Sequence, residues 1–469
     1  MKKKLFLLTI LAAGCVNQLT AQVKIGDNPN TINANSMLEL ESTNKGFLPP
    51  RVALNSLTAT APMTATIAEG TLVYSFGGTL PNGYYYWNSS RWVMLRIARD
   101  NYVLVKSTAD LPAPVAGVIT LAAGVEYEIN GTITLSSSIN LNGCTLKGDD
   151  SGNDKLVYTG SGALFTGNKT GNIRFLTMTA ASGSVFNIDA LGTPQNMLVQ
   201  NCFFLGSSSV GTIAGVGGTV FFSTDAYFSN TNGITFQNDN NVVMSNTLWD
   251  ASNSNTYERF VGTFNVIQLL GGDRLTTSAN SAKALDISGI TSINAGSAKV
   301  IMFVGTGTYV VGTFTNAWEV EATGLNTQKD DVAGGNMYIS TPAATTFAAI
   351  STPVKVQGTT TSTNLFRVTS PTNNRLTYAG NKTRSFYVSG ALSITQPNSN
   401  RFFSFYIAKN GVILPESRMD IKVVNSTDQV SVPISCRATL APGDYIEVWV
   451  ANQTATTDVT VQTLNLSIQ

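Results

Sequence analysis

The sequence contains no histidine, and charged residues make up only 12% of its 469 residues. Histidine is the usual general base near neutral pH and the commonest side-chain ligand of metals such as zinc. Its absence excludes hydrolases of the Ser-His-Asp and Cys-His classes and most zinc chemistry. Lysine and arginine total 29 against 28 aspartates and glutamates, a net charge of +1. No basic surface for nucleic acid is therefore expected.

Cysteine is also scarce, and its four copies are far apart. They are Cys15, Cys144, Cys202 and Cys436, with no CxxC pair among them. This spacing leaves two interpretations open: a Cys144–Cys202 disulfide, or buried free thiols.

What the sequence does contain favours β-structure. Hydrophobic residues make up 43%, enough to bury a core, and the length predicts two to four domains. Serine, threonine, asparagine and glycine fill the place that charged residues usually take. This balance is typical of an all-β chain with many turns, whose surface is solvated by hydroxyl and amide groups.

The N terminus has the pattern of a secretory signal peptide over residues 1–21. Three lysines at positions 2–4 precede a short apolar run at residues 5–13, and the small-residue site Leu19-Thr20-Ala21 precedes Gln22. The run is too short for a permanent membrane span, and no transmembrane segment is expected in the mature chain. We therefore predict a secreted or cell-surface protein. Lipidation at Cys15 is the alternative form of processing.

Residues 22–100 form the first of three zones, predicted to be an attachment module built on a β-hairpin. Leu38 and Leu40 alternate with polar residues as on a half-buried strand, and an aromatic run indicates two strands around the turn at residues 88–90. These aromatic side chains suit either a glycan-binding stack or a hairpin core. They are Tyr84, Tyr85, Tyr86, Trp87 and Trp92.

The motifs of this zone also carry a resemblance. The string G-F-L-P-P-R at residues 46–51 follows M-L-E-L, and L-V-Y and Y-Y-W-x-x-x-x-W-V lie downstream. The zone resembles the N-terminal module of exported surface proteins of Bacteroidota, and similar modules occur in fibre proteins of their phages. The resemblance implies a surface context and supplies no catalytic residues.

Residues 101–350 consist of short β-branched segments separated by Gly, Asn and Ser, a pattern that predicts a parallel β-helix. Residues 196–204 align with residues 241–249, with their asparagines at the same spacing, and residues 172–177 are a looser third copy. The opening at residues 111–121 resembles the entry turn of right-handed pectate-lyase-like β-helices. That resemblance implies a right-handed shaft and says nothing about activity. The periodicity blurs after about residue 255.

Residues 351–469 change to longer, cleanly alternating strands, with a tight hairpin turn at Asn410-Gly411. The order of strands, with G-D-Y-I-E-V-W-V at residues 443–450, resembles the jelly-roll heads of the tumour-necrosis-factor and C1q type. This resemblance implies a C-terminal β-sandwich head and a homotrimer.

Acidic residues are the only candidates for a metal site or an enzyme site. Asp149, Asp150 and Asp154 lie in one polar segment and suit either a weak calcium site or a plain turn. The adjacent pairs Glu258-Arg259 and Asp273-Arg274 point to opposite faces of a strand. Asp225 and Asp250 are the remaining carboxylates considered for an enzyme site. We predict no catalytic residue and no cofactor.

Together these features predict a structural or adhesive fibre protein: an attachment module, a β-helical shaft and a trimeric head. Its partner would lie on a cell surface, with a glycan as one candidate. The leader favours a bacterial adhesin, whereas the order of modules also suits a phage tail fibre or another virion protein. A polysaccharide lyase or glycoside hydrolase on the β-helix is the alternative from the class of enzymes.

Overall fold

The computed structural model describes residues 22–28, 31–64, 66–95 and 101–469. The predicted signal peptide and Cys15 lie outside these residues. The chain is all-β, with 54% strand and 3% helix, which confirms the predicted class. It divides into two compact units, Met1–Arg99 and Asp100–Gln469. Within the described ranges, no helix has the length and hydropathy to cross a bilayer.

The first unit contains two small sheets. Val23–Ile25 and Leu38–Leu40 pair in parallel. A four-stranded sheet follows in the order Arg51–Val52, Leu72–Ser75, Gly83–Trp87 and Trp92–Met94. Its last three strands are antiparallel neighbours, so the predicted hairpin around residues 88–90 is present. Its small core includes Val52, Leu54, Val73, Tyr85 and Trp92.

The second unit begins with a parallel β-solenoid of about 11 turns, which confirms the predicted parallel β-helix. The strands of successive turns pair in parallel and form three faces. The first face contains Tyr102–Val105, Glu126–Ile129, Thr145–Lys147, Asn172–Arg174, Met197–Gln200 and Thr219–Ser223. The second contains Val118–Thr120, Ser138–Asn140, Ala163–Gly167, Ser184–Asp189, Ser209–Ala214 and Ile234–Gln237. The third contains Thr132–Leu135, Lys155–Tyr158, Thr177–Ala180, Phe203–Leu205 and Ala226–Phe228.

The last turns are made by longer strands that continue around the corners. They are Asn241–Trp249, Thr256–Thr276 and Lys283–Gly305, followed by the shorter Thr308–Val311 and Trp318–Thr323. Gly262, Gly271 and Gly272 adopt positive φ within the second of them, so glycine turns the chain without a loop. Loop residues no longer separate the strands there, and this explains why the sequence periodicity blurs after residue 255.

The recurring asparagines have a backbone role at one corner. Asn201 and Asn246 lie two turns apart between the first and third faces, with φ of 54° and 52°. Asparagine tolerates this left-handed region better than most residues. Residues 172–177, the looser third copy, are shifted in register relative to residues 196–201, because Ile173 pairs with Val199 and not with Met197. The amides of Asn241, Asn265 and Asn294 do stack in successive turns, with N···O distances of 3.0 Å.

Aromatic side chains stack along the interior of the third face. Phe204, Tyr227 and Trp249 are in register, with ring centroids 4.6 Å and then 3.9 Å apart. The next position along this column, one turn after Trp249, is Arg274. Its NH2 lies 2.7 Å from Glu258 Oε1, and both side chains are fully buried. Trp249 Nε1 donates to the same oxygen at 2.8 Å. A buried ion pair therefore takes the place of one ring in the column.

The C-terminal part of this unit contains two antiparallel sheets around one core, which confirms the expected β-sandwich. One sheet has the order Gly358–Phe366, Gly334–Pro342, Val459–Ile468, Arg384–Thr395 and Val430–Leu440, with Ala344–Thr345 at the side. The other has the order Val368–Thr369, Leu376–Tyr378, Tyr445–Asn452, Arg401–Lys409 and Val412–Ile413, with Val354–Lys355 and Met419–Val423 at the sides. Short 3₁₀ helices occur at Thr108–Asp110, Ser278–Asn280, Asp330–Val332 and Pro415–Ser417.

One predicted boundary differs from the structure of this unit. The sandwich begins before the predicted boundary at residue 350, because Gly334–Pro342 pairs with Val459–Ile468 in its sheet. Of the two interpretations of the cysteines, the free thiols are present. Cys144, Cys202 and Cys436 are unpaired and buried, and burial raises the pKa of Cys436 to about 11.

The buried pair makes a prediction about stability. Arg274→Met leaves Glu258 without its cation inside the solenoid, so we expect a loss of about 3–5 kcal/mol. Denaturant unfolding of the purified chain measures it. Arg259→Met is the control, since this half-exposed side chain lies 3.5 Å from Asp286 and should contribute less than about 1 kcal/mol. Equal effects of the two substitutions would contradict a structural role for the buried pair.

Candidate functional site

The acidic segment at residues 149–154 folds as a hydrogen-bonded turn around Asp154. Its carboxylate accepts the backbone N–H groups of Gly131, Asp149 and Asp150 at 2.7–2.9 Å. These N–H groups together outweigh burial and lower the pKa of Asp154. Asp150 in turn accepts from Gly152 at 2.8 Å. Oxygens that already accept N–H donors fit a turn better than a cation, and the calcium site stays a prediction.

The aromatic run of the first unit divides between the core and the surface. Tyr85, Trp87 and Trp92 are buried, and Trp92 Nε1 donates to the carbonyl of Ala59 at 3.1 Å. A ring inside a core has no face to offer a sugar. Tyr84 is exposed, packing edge-on against Tyr74 at 5.2 Å, and Tyr86 is half-buried.

The carboxylates considered for an enzyme site lie in different places. Asp225 and Glu258 are sealed inside the solenoid, and Asp225 accepts the backbone N–H of Cys202 at 2.8 Å. Burial raises the pKa of Asp225 well above its usual value. Asp250 instead accepts the N–H of Ser252 at 2.9 Å in a turn, and Asp273 is on the outer surface of the third face. These side chains do not converge in one groove.

An apolar surface on the first unit is a stronger candidate for function. Val23 and Ile25 are in register with Leu38 and Leu40 in the parallel strand pair. All four side chains point to one side of this pair, and they are 45–62% exposed. We call these four residues the N-terminal apolar surface. Two parallel strands of three residues rarely persist alone, and parallel sheets are normally covered on both faces. Exposed apolar patches of this kind mark contact surfaces, so this surface is a candidate for contact with a partner.

The opposite side of the same strand pair is ionic. Lys24 Nζ lies 2.7 Å from Glu41 and 3.0 Å from Glu39. Hydrogen bonds to Glu41 and then Glu39 raise the pKa of Lys24. The strand pair thus separates an apolar face from a charged one, and the apolar face is the candidate contact surface.

A groove of about 500 Å³ lies in the second unit, where the last turns of the solenoid meet the sandwich. Gln268 pairs with Ser297 and Ser297 with Glu319 on the first face, so one residue from each of three turns lines the floor. The sandwich contributes Asn381 and Lys382 to the wall. The lining is rich in amide and ammonium groups, and it has no exposed aromatic ring.

Ion pairs fix the charges around this groove. Glu319 lies 2.7 Å from Lys299 and also pairs with Lys382, and these two lysines lower the pKa of Glu319 to about 2. Asp330 pairs with Arg367 and accepts the backbone N–H groups of Asn381 and Lys382. Sequence reasoning missed this groove, because its residues are up to 116 positions apart, from Val266 to Lys382.

Comparisons with known proteins give one family match. Residues 24–109 match the family model described as a phage tail like trimerisation region, and this range includes Ile25, Leu38 and Leu40. No curated protein matches the sequence. The Bacteroidota origin, and the assignment of the motif at residues 46–51 to a module of such surface proteins, remain predictions.

Several solved structures are similar to this chain. Eiger TNF from S. frugiperda is 14% identical, with a TM-score of 0.20, and the alignment covers 29% of this chain and 91% of that chain. Murine APRIL is 10% identical, with a TM-score of 0.20, and the alignment covers 29% of this chain and 98% of that chain. The enzymatically active domain of tailspike protein 4 of bacteriophage CBA120 is 9% identical, with a TM-score of 0.19. That alignment covers 90% of this chain and 77% of that chain.

The ion pairs of Glu319 predict a pH dependence of stability. Its lowered pKa means that the folded state favours the carboxylate. The stabilisation is therefore complete above the unfolded pKa of about 4.3 and is lost as the pH falls towards 2. In thermal melts, the stability advantage of wild type over Glu319→Gln should shrink across this window and stay constant above it. Glu416→Gln, at an exposed position of the sandwich, is the control. A constant advantage down to pH 2 would contradict this account.

Proposed function

We propose that this chain is a structural fibre protein that works as a homotrimer. The N-terminal apolar surface carries this proposal, because four exposed aliphatic side chains on an otherwise marginal strand pair need a partner. The match of residues 24–109 to a phage tail like trimerisation region supports a partner of the same kind. Three copies around a three-fold axis would bring identical surfaces together and exclude water from all of them.

In this proposal the solenoid is the shaft and the C-terminal sandwich is the head. A parallel solenoid adds length by repetition, since each turn stacks on the one before it. The ion pair of Asp330 and Arg367 joins the two, because Arg367 also donates to the carbonyl of Trp318 in the last turn. The head is thus fixed to the shaft and does not swing on a linker.

We propose further that the partner is a glycan on a cell surface and that the groove binds it. Amide and hydroxyl side chains such as Gln268, Ser297 and Asn294 line the groove, and such groups match the hydroxyls of sugars. We place the protein outside the cell, on a bacterial surface or on a virion. The predicted leader favours the first location, and the match to a phage tail like region favours the second.

We propose binding and not hydrolysis for this groove. A glycosidase needs one carboxylic acid with a raised pKa to protonate the leaving oxygen. Glu319 has the opposite property, since Lys299 and Lys382 lower its pKa to about 2. The carboxylate of Asp330 is likewise occupied by Arg367 and two backbone N–H groups. A β-helix lyase or hydrolase is the alternative, and turnover of a bound glycan would favour it.

The homotrimer is tested by native mass measurement. Wild type should be trimeric, and Ile25→Lys should weaken association roughly a hundredfold, about 2.7 kcal/mol, because assembly would bury three unpaired charges. Asn35→Lys is the matched control, since it adds the same charge at an exposed position nearby. A monomeric wild type would overturn the homotrimer, and an unchanged Ile25→Lys trimer would remove the N-terminal apolar surface from assembly.

Glycan binding is tested on an array of bacterial surface glycans, followed by titration of any glycan that binds. Gln268→Ala should lower the affinity about tenfold, which is the effect of losing one good hydrogen bond. Gln237→Ala is the control, because Gln237 is an exposed glutamine on the second face of the same solenoid. An array on which wild type binds nothing, or equal affinities of the two variants, would count against the groove.

A further inference from the structure

The third face of the solenoid carries a row of large apolar side chains on its outside. Outward positions of a solenoid strand normally hold polar residues, as the alternation on the second face shows. Here the outward positions of successive turns hold aromatic and aliphatic residues. We call this set the third-face stripe; it comprises Phe203, Leu205, Phe228, Leu248, Leu275, Met302 and Val304.

The register of the strands places these side chains in two neighbouring columns, interrupted at Ala226, Asp250 and Asp273. Leu205 is paired with Phe228, and Leu275 with Val304. The rings of Phe203 and Phe228 are in edge-on contact, with centroids 6.2 Å apart. From the turn of Phe203 to that of Met302 there are four steps between turns, so the stripe is ~19 Å long.

The stripe is the more accessible of two outward apolar rows. The first face has a shorter one, Leu198, Phe221 and Val243, whose side chains are half-buried. Phe203, Leu205, Met302 and Val304 are 38–44% exposed. At corresponding turns the second face presents polar side chains instead, such as Thr212, Thr235, Gln237 and Arg259. Earlier turns of the third face are also polar, with Thr132, Lys155 and Thr177 in the column that leads to Phe203. Asp273 lies in one column between Leu248 and Met302, and Asp250 occupies the corresponding place in the other column.

We infer that the third-face stripe is a contact between the solenoids of neighbouring copies of this chain. The inference rests on the proposed homotrimer and names a second surface in it. A stripe parallel to the solenoid axis is matched along its whole length by the same stripe on a parallel copy. Three copies around an axis along the solenoid present it at equal heights, so apolar rows meet apolar rows.

Connectivity supports the same occupant. Residues 24–109, which match the trimerisation region, directly precede the solenoid in the chain. Association through that region would raise the effective concentration of the solenoids to about the millimolar range. An apolar contact too weak to hold free solenoids together would then form within the trimer. A small ligand would cover only part of the stripe, whereas a second solenoid covers all of it.

The test is disulfide cross-linking of the full chain with a matched control. Val304→Cys places a thiol on the stripe, and Gln237→Cys places one on the exposed second face. The native Cys144, Cys202 and Cys436 are buried, and oxidised wild type reports any background from Cys15. We expect disulfide-linked dimers from Val304→Cys at all protein dilutions, and only background from Gln237→Cys. Leu205→Cys repeats the test four turns away in the same column, should Val304→Cys lose the native mass of wild type.

The outcomes separate this inference from the proposed function. A trimeric mass with no linking above background from Val304→Cys and Leu205→Cys would overturn the stripe contact and leave the homotrimer intact. A monomeric wild type would overturn both. A lower melting temperature for Met302→Lys than for Gln237→Lys, in a chain of trimeric mass, would support the stripe; equal melting temperatures would count against it.

Discussion

The last turn of the solenoid must be covered, and much of the second unit depends on how this is done. A parallel ladder ends in unpaired backbone groups and an open core. Here the chain folds back, so that Val320 and Gln328 exchange backbone hydrogen bonds at 2.9 and 3.0 Å. Arg367 then holds Asp330 and the carbonyl of Trp318 together. Shaft and head are therefore one folded unit, and the groove is a result of this junction.

The two apolar surfaces and the junction have a common physical basis. Only 12% of the residues are charged. Several of them form ion pairs that fix geometry, as in the pair of Lys24 with Glu41 and the lysines around Glu319. Elsewhere hydroxyl and amide groups solvate the surface. Against that background, exposed side chains such as Ile25 and Met302 stand out as sites that water does not favour.

Much of the architecture could be predicted from local patterns, because strand alternation and turn residues are local properties. The alternation of Leu38 and Leu40 and the turn at Asn410-Gly411 indicated strands correctly. The buried pair of Glu258 and Arg274 could not be predicted, since it joins residues on different faces of the solenoid. Nor could the groove, where Gln268 and Lys382 meet only because the head folds onto the shaft.

Arg274 also bears on how the turns find their register. Side chains alternate in direction along a strand. A slip of one residue would therefore turn Arg274 outward, and Trp249 would lose its neighbour in the interior column. Glu258 would then be left buried without a cation. A slip of two residues keeps the direction of every side chain, and an all-apolar column would tolerate it better, because one aliphatic side chain then replaces another at small cost. A single charge pair in the interior thus discriminates the correct stacking of the turns from its nearest errors.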